Sequence, residues 1–171
     1  MSYLITGGTG FIGIHIARLL TQEGEEVVTY DIDPRRDILE YLMSKKEIAL
    51  VKVIKGDITD VAHLIRTAKE HHSTRIIHMA ALLSIDSSAN PALAVQINCG
   101  GTANILETAR ILRVEKVIYA SSNIVFGPAE KYEGSIFPMT FPIIHRLSMV
   151  HVSHLSNDWR GTTSMSMEWM V

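Results

Sequence analysis

"YLITGGTGFIGIHIARLL" (residues 3–20) sets a short apolar run against a glycine-rich turn and then a helical period. The run 3–7 reads as a buried strand, and from Phe11 to Gln22 the residues Ile12, Ile16, Leu19 and Leu20 share one helical face. Between them, "TGGTGFIG" (6–13) spaces Gly7, Gly10 and Gly13 three apart. In a strand–turn–helix of this kind the first glycine permits the tight turn. The second lets a pyrophosphate approach the backbone, and the third lets the helix pack close to the strand. Free N–H groups where the helix starts, at Phe11, Ile12 and Gly13, then face the anion, and the helix dipole favours its charge.

The same alternation continues along the chain. "EVVTYD" (26–31), "ALVKVIKGD" (49–57), "RIIHMAA" (75–81) and "EKVIYASS" (115–122) read as four further strands. Helices are predicted from a cap at Thr59 or Asp60 through His71, and from Pro91 to about Leu112. The polar stretch after Asp31 has no clean period as far as Lys46, and residues 128–147, with Pro128, Pro138 and Pro142, read as an irregular excursion. Near-continuous apolar strands alternating with helices predict an α/β protein with a Rossmann-like, doubly wound parallel sheet.

Asp31 ends the second strand, 18 residues after Gly13, where a carboxylate can accept hydrogen bonds from a ribose diol. A glycine turn alone would be compatible with simple chain geometry; together with this carboxylate it points to a dinucleotide. Asp31 favours NAD over NADP, because it would repel a 2′-phosphate. Arg35 and Arg36 could offset that repulsion, although a solvated basic turn is the plainer reading.

Composition bounds the remaining classes. A chain of 171 residues with 47% hydrophobic residues supports one domain with a real core, and a net charge of −2 without a basic patch gives no reason to expect nucleic acid. The single cysteine, Cys99, excludes an internal disulfide, no Cys/His spacing suits a metal, and a reducing cytoplasm is expected. The apolar N-terminus lacks a basic flank and is broken by glycines, so neither a signal peptide nor a membrane span is expected.

Several blocks, in order, resemble the extended short-chain dehydrogenase/reductase superfamily, of the NAD-dependent epimerase/dehydratase type. They are "TGGTGFIG" (6–13), "GDITD" (56–60), "HMAALLS" (78–84), "NPALAVQINCGGTANILETAR" (90–110) and "YASSNIVFGP" (119–128). The resemblance implies that Asp57 and Ile58 flank an adenine ring, that Ala80 and Ala81 line the cofactor with small side chains, and that Asn98 helps shape the site. It also implies that Ser122 hydrogen-bonds a substrate hydroxyl or carbonyl. Each residue has a plainer alternative: Asp57 a helix cap, Asn98 a satisfied polar group, Ser122 a strand end. "HMAALLS" and "VFGP" look most like the branch holding L-threonine 3-dehydrogenase and related nucleotide-sugar epimerases.

The family's acid/base chemistry uses a tyrosine and, four residues later, a lysine on one helical face. "LSMVHVSHLSNDW" (147–159) resembles the family's segment of the form "LSMYGVSKLSNEW", which puts Val150 at the tyrosine position and His154 at the lysine position. Valine has no titratable proton, and a neutral imidazole supplies no fixed charge. A metal reading of His151 and His154 with His145 lacks a convincing fourth ligand.

Residues 1–128 are thus expected to form an NAD(P)-binding domain. Residues 129–171 are expected to hold an irregular loop and the remnant of the catalytic helix, without the family's last strand and C-terminal substrate domain. Two functions follow. One is an epimerase, dehydratase or dehydrogenase acting on a nucleotide sugar or small hydroxy substrate; the other is a dinucleotide-binding module without turnover. The resemblance also implies a homodimer through the long fourth and fifth helices, whose apolar stripe would equally serve ordinary packing on the sheet.

Overall fold

The apolar runs become strands whose central members are buried on both faces, while the edge strand is partly exposed. In the structure, a computed structural model that describes residues 1–122 and the backbone of 166–170, β1 (Ser2–Thr6) is buried along its whole length. β2 (Glu26–Asp31), β3 (Val51–Lys55), β4 (Arg75–His78) and β5 (Lys116–Ala120) join it, all parallel. With a sixth strand, β6 (Ser166–Met170), the order is β3-β2-β1-β4-β5-β6, which reverses direction beside β1 as a doubly wound sheet requires. Alternate residues of one strand serve different cores. Leu4, Val28, Ile76 and Val117 pack with α4 (Val61–Glu70) and α7 (Thr102–Leu112) through Leu64, Ala68, Ile105 and Ala109. Tyr3, Ile5, Val27 and Ile77 pack with Ile14 and Ala17 of α1 (Phe11–Gln22).

The expected sheet is present, with one correction at its edge. The tail, read as lacking the last strand, supplies β6 (Ser166–Met170), which pairs parallel to β5 from Lys116 opposite Ser166 to Ala120 opposite Met170. Met165, Met167 and Trp169 alternate with Ser164, Ser166 and Glu168, a period of two that suits a strand.

Local chemistry explains the other departures. The stretch after Asp31 holds two short helices, α2 (Arg36–Leu42) and α3 (Lys45–Ile48). α3 is set by a capping box: the Ser44 hydroxyl accepts from Glu47 N–H while the Glu47 carboxylate accepts from Ser44 N–H at 2.5 Å. These bonds hold the Glu47 carboxyl down at about 2. Asp60, rather than Thr59, caps α4 by accepting from His63 N–H at 2.9 Å. After β4, α5 (Ser84–Ala89) and α6 (Pro91–Ala94) precede a π-helical segment, Val95–Gly101, that runs into α7. There Gly101 backs onto Ile58, whose Cδ1 lies 2.4 Å from where a Cβ would sit. Among the described residues no helix is long and apolar enough to cross a membrane.

Candidate functional site

Parallel pairing puts the carboxyl ends of all the strands along one side of the sheet. Thr6 lies beside Tyr30 and His78, Asp31 beside Lys55, and His78 beside Tyr119. The chain leaves β1 through Gly7 at φ +63°, with Gly7 N–H donating to the Tyr30 carbonyl at 2.9 Å. A Cβ on Gly7 would stand 2.8 Å from Ala80 N, so the turn is pressed against the end of β4.

The other glycines of the turn fall into two kinds. A Cβ on Gly13 would meet the Gly7 carbonyl oxygen at 2.2 Å, and one on Gly8 would meet Ile5 O at 2.7 Å and Thr29 Cβ at 2.8 Å. These two are required by the packing of helix and strand on the turn. Gly10 differs: among the described residues a Cβ there meets one atom, the Gly7 oxygen at 3.2 Å, and its backbone is extended, at φ −73° and ψ 172°. Gly10 is the residue before α1, whose start carries no side-chain cap among the described residues and no acidic group in its first turn. Phe11 (84% exposed) and Ile12 lie open beside it.

Asp31 stands at the end of β2 and is tied to this turn. Thr9 donates twice to its Oδ2, from the hydroxyl at 2.8 Å and from the backbone N–H at 3.2 Å, while Oδ1 accepts a long bond from Asp33 N–H at 3.4 Å. Arg35 is engaged by Asp37 through two bonds of 3.3 Å, which raise the guanidinium and lower the carboxyl from their ordinary ranges. One strand further out, Asp57 Oδ1 accepts from Thr59 N–H at 2.8 Å, the short Asx bond of a helix approach. The carbonyl of Asp57 accepts the Tyr30 hydroxyl at 3.0 Å. Burial first, then Asp60 and Asp57, push the Tyr30 phenol up to about 12, so it remains a proton donor. Ile58 is 6% exposed and belongs to the core, and its carbonyl accepts from the Asn104 amide at 2.9 Å.

On the β4 side a buried polar chain replaces charge. The Thr102 hydroxyl donates to the Asn98 carbonyl at 2.6 Å and so can only accept from His78 Nε2, 3.1 Å away. His78 Nδ1 is then the acceptor of the Thr6 hydroxyl at 2.6 Å, and the Thr6 oxygen accepts from Ala80 N–H at 3.5 Å. Burial lowers His78 to about 4, which keeps the imidazole neutral. Asn98 completes the chain: its amide accepts from Leu82 N–H at 2.7 Å and donates to the Leu82 carbonyl at 3.0 Å. Its side chain is therefore committed to holding the loop after β4.

The structure thus gathers Gly7, Gly10, Phe11, Ile12, Gly13, Asp31, Asp57, Ala80, Ala81 and Ser122 at one end of the sheet, with Ser122 half-buried just past β5. Asn98 reaches the same end through Leu82. Val150 and His154, with His145 and His151, lie outside the described residues. Sequence reasoning missed Thr9, Gly8, Tyr30 and His78. Gly8 is visible in the motif, but the others act through partners brought close only by strand pairing.

A doubly wound sheet with an uncapped glycine turn at its switch point defines the nucleotide-binding class of α/β proteins. The family model described as GDP-mannose 4,6 dehydratase matches residues 4–137. CDP-paratose 2-epimerase of Salmonella typhi is 30% identical over 135 residues, covering 78% of this chain and 40% of that protein. The probable UDP-glucuronate 4-epimerase of Rhizobium meliloti (strain 1021) is 32% identical over 166 residues, covering 90% of this chain and 48% of that protein. The Thermus thermophilus UDP-glucose 4-epimerase, solved in complex with NAD, superposes with a TM-score of 0.84 at 27% identity, over 99% of this chain and 54% of that one. This chain belongs to the NAD-dependent epimerase/dehydratase family of short-chain dehydrogenases/reductases. It spans about half, or less, of the length of these relatives.

Proposed function

We propose that this chain binds NAD across the carboxyl ends of β1, β2 and β4. The observation that carries the reading is Gly10. Among the described residues the fold crowds Gly7, Gly8 and Gly13 at 2.8 Å or closer, whereas Gly10 meets a single atom at 3.2 Å, at the mouth of a helix whose first N–H groups lack a side-chain cap. An absent side chain there makes room for something outside the chain, and amide donors with a helix dipole suit a diphosphate. In this reading Phe11, Ile12 and Gly13 present N–H groups to the diphosphate, Asp31 accepts from the adenosine ribose, and Asp57 and the Ile58 backbone border the adenine. Ala80 and Ala81 leave space beside the diphosphate, and Ser122 faces the substrate side. Bound NAD would supply a hydride acceptor for a substrate hydroxyl carbon.

Turnover needs more than this cradle. In the family register Val150 and His154 stand where a tyrosine and a lysine supply the acid/base group and its supporting charge, and valine can move no proton. The chain as written is accordingly a dinucleotide-binding module, and the nucleotide-sugar chemistry named for its relatives is not expected of it. Calorimetry with NAD tests the first half: wild type binds, and Gly10→Val abolishes binding without unfolding the protein. Unchanged affinity in that variant refutes the cradle. An NADH and epimer assay across sugar nucleotides and L-threonine tests the second, and turnover at ordinary rates refutes it. A homodimer through the long fourth and fifth helices of the family pattern is part of the same proposal and is tested by light scattering; the fourth spans α6 to α7 with Leu93, Val95 and Ile111 exposed, and the fifth lies outside the described residues.

A further inference from the structure

We propose that Thr9 is the residue that sets cofactor selectivity in this site, by locking the Asp31 carboxylate to the diphosphate turn. The inference rests on the dinucleotide reading above. Thr9 is 3% exposed, two residues before the open amides of α1, and places two donors on a single carboxylate oxygen. A carboxylate oxygen offers about two lone-pair directions, so Oδ2 is fully used by Thr9. The ribose diol is left with Oδ1, whose bond from Asp33 N–H is long at 3.4 Å and readily exchanged.

Two consequences follow from pinning one oxygen. The first is registration. The turn that faces the diphosphate and the carboxylate that faces the ribose lie on different strands, 22 residues apart in sequence, and Thr9 makes them one body. A cofactor that spans both then meets a preorganised pair rather than two independently moving groups. The second is discrimination. An unpinned carboxylate could rotate away from a 2′-phosphate, whereas this one cannot without breaking both Thr9 bonds. Of the two nearby cations, Arg35 is engaged by Asp37, which leaves Arg36 as the group that could offset the repulsion. Thr9 is therefore a positioning residue: it acts on the cofactor through Asp31.

The test compares NAD and NADP affinities by calorimetry for wild type, Thr9→Val, Thr9→Ser and Asp31→Ala, and for Thr9→Val in the Asp31→Ala background. Removing one hydrogen bond to a charged group predicts about a tenfold loss of NAD affinity in Thr9→Val. NADP affinity should hold or rise, so the preference for NAD falls. Thr9→Ser keeps the hydroxyl and should keep the wild-type ratio, and in the Asp31→Ala background Thr9→Val should add nothing. Thr9→Ala removes the same hydroxyl with less bulk and decides the matter should the valine variant not fold. An unchanged NAD-to-NADP ratio on loss of the hydroxyl overturns the proposal, as does an equal loss for both cofactors that serine fails to rescue. Wild type that binds NAD beside an indifferent Thr9→Val sinks this inference alone. Wild type that binds no NAD sinks the dinucleotide reading with it.

Discussion

The two halves of the candidate site are held by opposite means. On the β1–β2 side the contacts are carboxylates met by N–H and hydroxyl donors at or near the surface: Thr9 on Asp31, Thr59 on Asp57. On the β4 side the contacts are neutral and sealed: Thr6, His78, Thr102 and Asn98 pass hydrogen bonds through the interior, and Asn98 then fixes Leu82. Charge exposed to solvent can be offered to a ligand at modest cost, while a charge inside the sheet would be expensive. The first half is therefore built to recognise and the second to support. A loss on the first side should appear in affinity, and a loss on the second should appear in stability.

The largest expected effect belongs to the packing beneath the recognition half rather than to its polar contacts: in Gly13→Ala the added Cβ falls 2.2 Å from the Gly7 oxygen, and neither backbone can yield cheaply. A destabilisation above about 3 kcal/mol is expected, seen as a fall in Tm of about 10 °C or more. A near-wild-type melt would mean that the helix does not pack on the turn as described. His78 comes next. Its folded pKa, about 4, lies below the ordinary 6.5, so the unfolded chain binds the proton more readily between those values. Its contribution is complete above about pH 6.5 and is lost as the pH falls toward 4, amounting to roughly 3 kcal/mol. Urea unfolding at several pH values, with His78→Gln as the variant that removes this part of the slope, measures it. Equal slopes would break the support half of the comparison.

Gly10→Ala sharpens the contrast from the other side. With only one contact, at 3.2 Å, its cost to folding should stay within about 1 kcal/mol. NAD affinity should nevertheless fall more than about tenfold, because the methyl occupies the approach to the amides. The smallest effect is reserved for a place outside both halves. Ser44→Ala removes one arm of the α3 capping box and should cost about 1 kcal/mol in denaturant unfolding, with no change in ligand affinity.

What was legible in the sequence was whatever local chemistry decides. β1, its glycine turn and α1 are contiguous, and so are Asp31 at the end of β2 and Asp60 before α4, so motif and period carried them to the right places. Boundaries shortened where strands end in polar turns, as in the third strand, read from 49 to 57 and observed at Val51–Lys55. The Ser44–Glu47 capping box was also local, but the surrounding polar stretch masked it. The Thr9–Asp31 bond and the His78 chain were not legible, because their partners are 22, 72 and 24 residues apart and meet only once the strands pair. The close approach of Gly101, at the end of the π-helical stretch, to Ile58 was hidden for the same reason, since it lies across from another element.

Among the described residues β3 forms one margin of the sheet, with β2 as its sole strand neighbour. Its outward backbone groups are a template on which a foreign strand could add. Lys52 and Lys55 stand exposed along that rim, and any strand arriving there would have to strip water from their ammonium groups. Exchanging both for threonine should raise self-association, read as increased light scattering, with NAD affinity unchanged.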